Sequence, residues 1–248
     1  MSKSETWLNA VSFLNSVLPS FEANVTEVRG HSEEVLLRSY ERLTSIQAWR
    51  TFVLEADLSA AALGFYAEAQ NDGIVSLIQV ASGLWRPALK SLRSAIENFI
   101  RAVYYKDHPI EYRLWEVGKH RPTFDSYFSY IKDHPDFSQL PESVIGINEL
   151  KRKYSRLSDA VHASSKELRM INNLEGLVLW KRDAPSISKW EALQRDTYSN
   201  INLILLCLFR DRVSGTSAMG LREIVAQVIP QAKHSTIKST LGVTLPTK

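Results

Sequence analysis

The sequence predicts an all-α protein, and two observations carry that prediction. Apolar residues recur at spacings of three and four in nearly every long segment, and no segment of useful length alternates as a half-buried strand would. At 248 residues, with 44% hydrophobic and 23% charged content, the chain is long enough to bury a sizeable core without disulfides or metals. This mixture is that of an ordinary globular protein and points neither to disorder nor to a membrane class.

In residues 4–28, Leu8, Val11, Phe13, Leu14, Val17 and Leu18 repeat helically, and Pro19 predicts a break or kink where an internal N–H is lost. Residues 32–56 read as a second helical region opened by Ser32 as a cap, with Glu33 and Glu34 in its favourable first turn. Residues 58–70 form a third, ending before the turn signal Asn71-Asp72-Gly73. After a further apolar run, Gly83 and Pro87 punctuate the chain before its best-defined helix, about 86–106. There Leu89, Leu92, Ile96, Phe99, Ile100 and Val103 make one apolar stripe, and Lys90, Ser94, Glu97 and Arg101 take another face.

Four prolines and many aromatics in residues 107–143 predict short helices and irregular connections. Helices are then expected at about 146–170 and 188–212. The tail after Gly215 holds one short helical run, residues 221–229, then Pro230 and a basic, serine- and threonine-rich end expected to be mobile. The organisation read from these features is an N-terminal helical extension (1–72), a helical core (73–213) and a C-terminal short helix with a basic tail (214–248).

Cys207 is the single cysteine and lies in an apolar run, so the chain has no internal disulfide and no zinc site built on several thiolates. The N-terminus lacks the compact basic start and continuous apolar stretch of a signal peptide, and no window reaches eighteen uninterrupted apolar residues. A cytoplasmic protein without a membrane partner is the expectation. A net charge of +3 permits nucleic acid as a partner without requiring it, so any basic footprint is local.

Histidine is the side chain most suited to acid/base chemistry at neutral pH. His31, His108, His120, His134 and His234 fall at predicted element ends or in loops, and none forms a metal-ligand pair at helical spacing. No metal or cofactor is therefore expected. The triplet Asp-His-Pro occurs at 107–109 and 133–135 and reads as a capped turn before proline. Aromatic and basic residues interleave in the middle region, a pattern shared by nucleobase-stacking surfaces and by aromatic packing of irregular connections, and packing is the expectation.

His162 stands apart, in the stretch SRLSDAVHASS at 155–165. On a straight helix Ser155, Ser158, Asp159, His162, Lys166 and Arg169 share one face, while Leu157, Ala160, Val161 and Leu168 share another. Asp159, three residues earlier, could hold one imidazole nitrogen and fix the tautomer. Two readings of His162 stand at this point: an acid/base group, or the histidine of an ordinary amphipathic helix.

The segments SLRSAIENFIRAVYY (91–105) and YSRLSDAVHASS (154–165) resemble the HEPN superfamily of helical domains, in particular its larger bacterial members. The hallmark of that superfamily is an arginine separated by four to six residues from a histidine, and Arg156 and His162, with five between, have that spacing. The resemblance implies a HEPN-like helical bundle over the 73–213 core and metal-independent cleavage of RNA. It implies His162 as acid or base, Arg156 stabilising phosphoryl charge, and a homodimer in which two motifs meet. Lys151, Arg152, Lys153, Lys166 and Arg169 would then hold the RNA backbone. Arg93, Glu97, Arg101 and Asp159 would support the pair, although Arg93 and Arg101 also fit a salt-bridge ladder with Glu97. Toxin-like action in antiphage defence or growth arrest is the biological expectation, with a non-catalytic scaffold that dimerises and binds RNA or a partner as the alternative. A regulatory protein partner is compatible with either.

Overall fold

A computed structural model describes residues 4–162, 182–215 and 218–246, and every regular element among them is helical. The order is α1 (Glu5–Trp49), a π-helical turn (Arg50–Leu54), α2 (Glu55–Asp57), α3 (Ala60–Ala81), α4 (Trp85–Asp107), α5 (Pro109–Glu116) and α6 (Phe124–Lys132). There follow α7 (Glu142–Ile145), α8 (Ile147–His162), α9 (Ala184–Leu208), α10 (Arg210–Val213), α11 (Met219–Val228) and α12 (His234–Leu241). Among the described residues no helix is long and apolar enough to cross a membrane.

All six residues of the predicted α4 stripe are buried. α3 and α4 form an intimate hairpin, closed by Gly83 at φ +76° and by Ser76 Oγ donating to Ala88 O at 2.7 Å. α9 is enclosed most fully, with every residue from Thr197 to Cys207 buried. Apolar enclosure pushes the Cys207 thiol up to about 12, consistent with a packed and unreactive cysteine.

Polar groups on so enclosed a helix need partners, and α1 supplies them. Trp49 Nε1 donates to Asn202 Oδ1 at 2.8 Å, and Asn202 Nδ2 donates to Ser45 Oγ at 2.9 Å. Further along, Arg42 donates to Gln194 Oε1 at 2.9 Å and to Glu191 Oε1 at 2.5 Å, while Gln194 Nε2 donates to Ser39 O at 3.1 Å.

Two sequence expectations for the N-terminal half change. α1 runs through Pro19, which is exposed like Asn15, so solvent can satisfy the Asn15 carbonyl that loses its partner. Its one non-helical residue is Ser32 (φ −134°, ψ 19°), so the division between the first two helical regions survives as a kink. The Asn71-Asp72-Gly73 signal is not a turn, because α3 continues through it. Gly73 serves packing: a Cβ there would stand 2.1 Å from Tyr198 Oη and 2.7 Å from Leu43 Cδ2. Asp72 is held by Asn98 Nδ2 at 2.8 Å across the hairpin.

The C-terminal end is a docked segment, since Ile237, Leu241, Val243 and Leu245 are buried in the common core. That core draws on residues from Val28 to Leu245, and the boundary read between residues 72 and 73 falls inside α3.

The Gly73 contact generates a test. Gly73→Ala is expected to destabilise the protein by about 1–3 kcal/mol through overpacking. Tyr198→Phe alone should be close to neutral, because Tyr198 Oη is buried without a hydrogen-bond partner. The double variant should recover part of the loss, and urea unfolding of all three checks this; strict additivity would contradict the contact.

Candidate functional site

α8 starts from a tight junction. Gly146 at φ +74° turns the chain from α7, and a Cβ there would lie 2.5 Å from Asn200 Oδ1 on α9. From this anchor α8 lays Leu150, Leu157 and Ala160 fully buried against the core, as the predicted apolar face requires. Arg156, Asp159 and His162 point to the exposed side. Six helical residues turn the chain by about 600°, so Arg156 and His162 lie on different faces, and α8 is continuous from Ile147 to His162. Lys166 and Arg169 lie outside the described residues.

The groups expected to support this pair form a network of their own between α4 and α8. Arg93 Nη2 meets Glu97 Oε1 at 2.8 Å and Tyr154 Oη at 2.6 Å, and Arg93 Nε donates to Ser158 Oγ at 3.0 Å. Tyr154 Oη in turn donates to Glu97 Oε1 at 2.9 Å, and the Arg93 guanidinium sits 4.8 Å from the centre of the Tyr154 ring. Burial and the Glu97 carboxylate push the Tyr154 hydroxyl up, so it holds its proton and donates. This is the i,i+4 pairing that the spacing of Arg93 and Glu97 allowed. Arg101 belongs elsewhere, donating to Asn98 Oδ1 at 3.2 Å on the side of α4 that faces α3.

The sequence reading missed Arg86. Its Nε donates to Ala160 O at 3.0 Å, which brings a guanidinium to the end of α8 two residues from His162. The only signal for it was generic: the last carbonyls of a helix lack internal partners and attract cations.

The basic residues predicted on the first half of α8 are paired within the protein. Lys151 meets Asp125 at 2.8 Å, Arg152 meets Glu149, and Lys153 bridges Glu149 at 3.0 Å and Asp196 of α9 at 2.8 Å. Burial alone would lower the Lys153 ammonium, but Asp196 and Glu149 raise it, while the same contact holds the Asp196 carboxyl low against its own burial. A groove of about 370 Å³ beside them is lined by Glu142, Glu149, Asp196, Arg152 and Lys233, carrying both signs of charge. Among the described residues no group of three or more His, Cys, Asp or Glu is placed to hold a metal ion.

The aromatic middle packs on itself, as expected. Phe65 stacks on Tyr105 with centroids 5.3 Å apart and meets Trp115 edge-on at 5.0 Å, and Tyr104 stacks on His108 at 4.0 Å. The two Asp-His-Pro triplets prove to be partners: His134 Nε2 contacts Asp107 Oδ2 at 3.1 Å, while His134 Nδ1 accepts from Asp136 N–H at 3.1 Å. Both ring nitrogens are engaged, which makes His134 a clasp closing the segment from α4 to α6. Burial would raise the Asp107 carboxyl, yet hydrogen bonds from His134, Lys106 and Tyr130 hold it well below its ordinary range.

No family model matches this chain, and no curated protein or solved structure does.

The α4–α8 network should contribute to stability through its hydroxyl. Tyr154→Phe keeps the ring under Arg93 but removes one acceptor and one donor, and a loss of about 1–2 kcal/mol in urea unfolding is expected. Glu97→Ala should cost more, about 2–3 kcal/mol, because it leaves the half-buried Arg93 short of its counter-charge. Changes below 0.5 kcal/mol in both would show that the network is incidental.

Proposed function

We propose that this chain is a HEPN-like, RNA-targeting protein that cleaves RNA without a metal ion, using Arg156 and His162. The observation that carries the reading is that these two motif residues are exposed on one unbroken helix, while the residues between them that face inward, Leu157 and Ala160, anchor that helix in the core. A reactive pair needs access to a phosphodiester, and the fold leaves both side chains open to one.

In the proposed reaction His162 takes the proton of a ribose 2′-OH, whose oxygen attacks the adjacent phosphorus. The bond from phosphorus to the 5′-oxygen breaks, a proton passes to that oxygen, and the products are a 2′,3′-cyclic phosphate and a 5′-hydroxyl. Arg156 offsets the charge that builds on the phosphoryl oxygens. Because the two residues face different sides of α8, a homodimer in which each copy's helix completes the other's site fits the reading. Exposed ion pairs such as Lys151 with Asp125 are worth only about 0–1 kcal/mol and can yield to phosphate, with binding that weakens as salt rises. Toxin-like action in defence or growth arrest follows the same resemblance, with the cytoplasm, the location expected from the sequence, as its setting.

A second reading, a non-catalytic helical scaffold that binds RNA or a regulatory protein, draws on a different observation. Lys151, Arg152, Lys153 and Arg93 each already meet a carboxylate of the same chain.

Cleavage of total cellular RNA in EDTA separates the two. Wild-type protein is expected to generate cyclic-phosphate ends, and His162→Ala and Arg156→Ala to lower the rate at least ~100-fold without changing the thermal melt, since both side chains are exposed. Folded wild-type protein that leaves RNA intact would favour the scaffold.

A further inference from the structure

α4 and α8 run antiparallel along their shared edge. Arg93 on α4 meets Tyr154 and Ser158 of α8, whereas Arg86, two turns earlier on α4, meets Ala160 O farther along α8. A step back along α4 therefore matches a step forward along α8. From the contact of Arg93 with Ser158, one turn back on α4 reaches Lys90 and one turn forward on α8 reaches His162. Residues three and four apart share a helix face, so Lys90 stays on the face of Arg93 and His162 on the face of Ser158. The two side chains thus stand at the same level on facing edges of the groove between the helices.

Both Lys90 and His162 are exposed, so this end of the groove is open, while at its other end α6 lays Phe124 against Tyr154 with ring centroids 4.2 Å apart. The cations along the edge differ in what they already hold. Arg93 is paired with Glu97, Lys151 with Asp125, and Arg86 donates to a carbonyl. Lys90 has no ion pair or hydrogen bond among the described residues. It lies four residues after Arg86 and three before Arg93, and like charges at these spacings destabilise a helix, so an anion seated among them relieves a local excess of positive charge. Asp159, three residues before His162, is turned about 60° farther from α4 and has an interaction of its own.

We propose that Lys90 and His162 of one chain hold the same phosphate of an RNA strand, Lys90 being a phosphate-binding residue on the side of α8 that Arg156 does not face. The assignment rests on the reading of this protein as RNA-directed, and it gives His162 a cation within its own chain. Lysine suits the position, because its ammonium is a compact charge on a flexible stem that meets phosphate oxygens without imposing one geometry. While the 2′-oxygen attacks phosphorus, the Lys90 ammonium keeps its protons and offsets charge on a non-bridging oxygen. No bond is made or broken at Lys90.

Two measurements on the full chain test it. The first follows binding of a single-stranded 2′-O-methyl oligonucleotide, which lacks the attacking hydroxyl and stays intact, across a range of salt. Lys90→Gln is expected to weaken binding several-fold and to flatten the slope of log Kd against log salt by about 0.7, the share of one phosphate contact on a single strand. Lys238→Gln removes the same charge from an exposed site on α12 and should leave the slope unchanged. The second follows cleavage of RNA of the same sequence in EDTA, expected to fall at least ~10-fold in Lys90→Gln and to recover in Lys90→Arg, with unchanged melts. Cleavage lost in His162→Ala but intact in Lys90→Gln overturns the shared site and leaves the proposed reaction standing. If the wild type leaves RNA intact, the reaction falls and the salt slope alone decides the Lys90 site. A wild type that does not bind the oligonucleotide, a slope unmoved by Lys90→Gln, or one flattened equally by Lys238→Gln would each overturn the proposal.

Discussion

Enclosure of α9 is the constraint on which the fold depends. A helix covered on every side loses stability for each polar group left without a partner inside the protein, since water cannot reach it. Asn202 and Gln194 meet that requirement chiefly through α1, which brings Trp49, Ser45, Arg42 and the carbonyl of Ser39 to them, while Asn202 Nδ2 also donates to Tyr198 O within α9. The hydrogen bonds set the register of α1 on α9, and apolar packing of α3, α4 and α11 around the pair follows from that register. Gly73 and Gly146 mark the points of closest approach, where α9 side chains occupy the space that a side chain on α3 or at the α7–α8 junction would need.

α8 is then held from two directions, with different consequences along its length. On its inner side, Tyr154 and Ser158 meet the Arg93–Glu97 pair, and Arg86 holds the carbonyl of Ala160. On its outer side Arg156, Asp159 and His162 face solvent. Rigid support beneath an exposed polar face is the arrangement that a reactive or binding surface requires.

Much of this was legible in the sequence, and the exceptions have a common physical cause. The α4 stripe, the inward Leu157 and Ala160, and the self-packing aromatic middle followed from periodicity and residue size, which are local properties. The Asn-Asp-Gly stretch misled because its glycine answers to Tyr198, more than a hundred residues away, and no local rule encodes that contact. Pro19 misled because its cost depends on exposure, and both Pro19 and Asn15 are exposed. Arg86 went unseen because its partner is a backbone carbonyl of another helix. The C-terminal tail looked mobile from its basic, hydroxyl-rich composition, yet Val243 and Leu245, four residues from the last helix at most, are enough to dock it.

Asn202 provides the most direct measurement of the central claim. Asn202→Leu removes the acceptor of Trp49 Nε1 and the donor to Ser45 Oγ while keeping the side chain's bulk, so the buried Trp49 Nε1 loses its partner and Ser45 Oγ keeps only its bond to Arg42 O. A loss of about 2–5 kcal/mol is expected in urea unfolding, accompanied by a red shift in tryptophan emission as α1 loosens from α9. An Asn202→Leu protein as stable as the wild type would contradict the account, showing that apolar packing alone sets how α1 lies on α9.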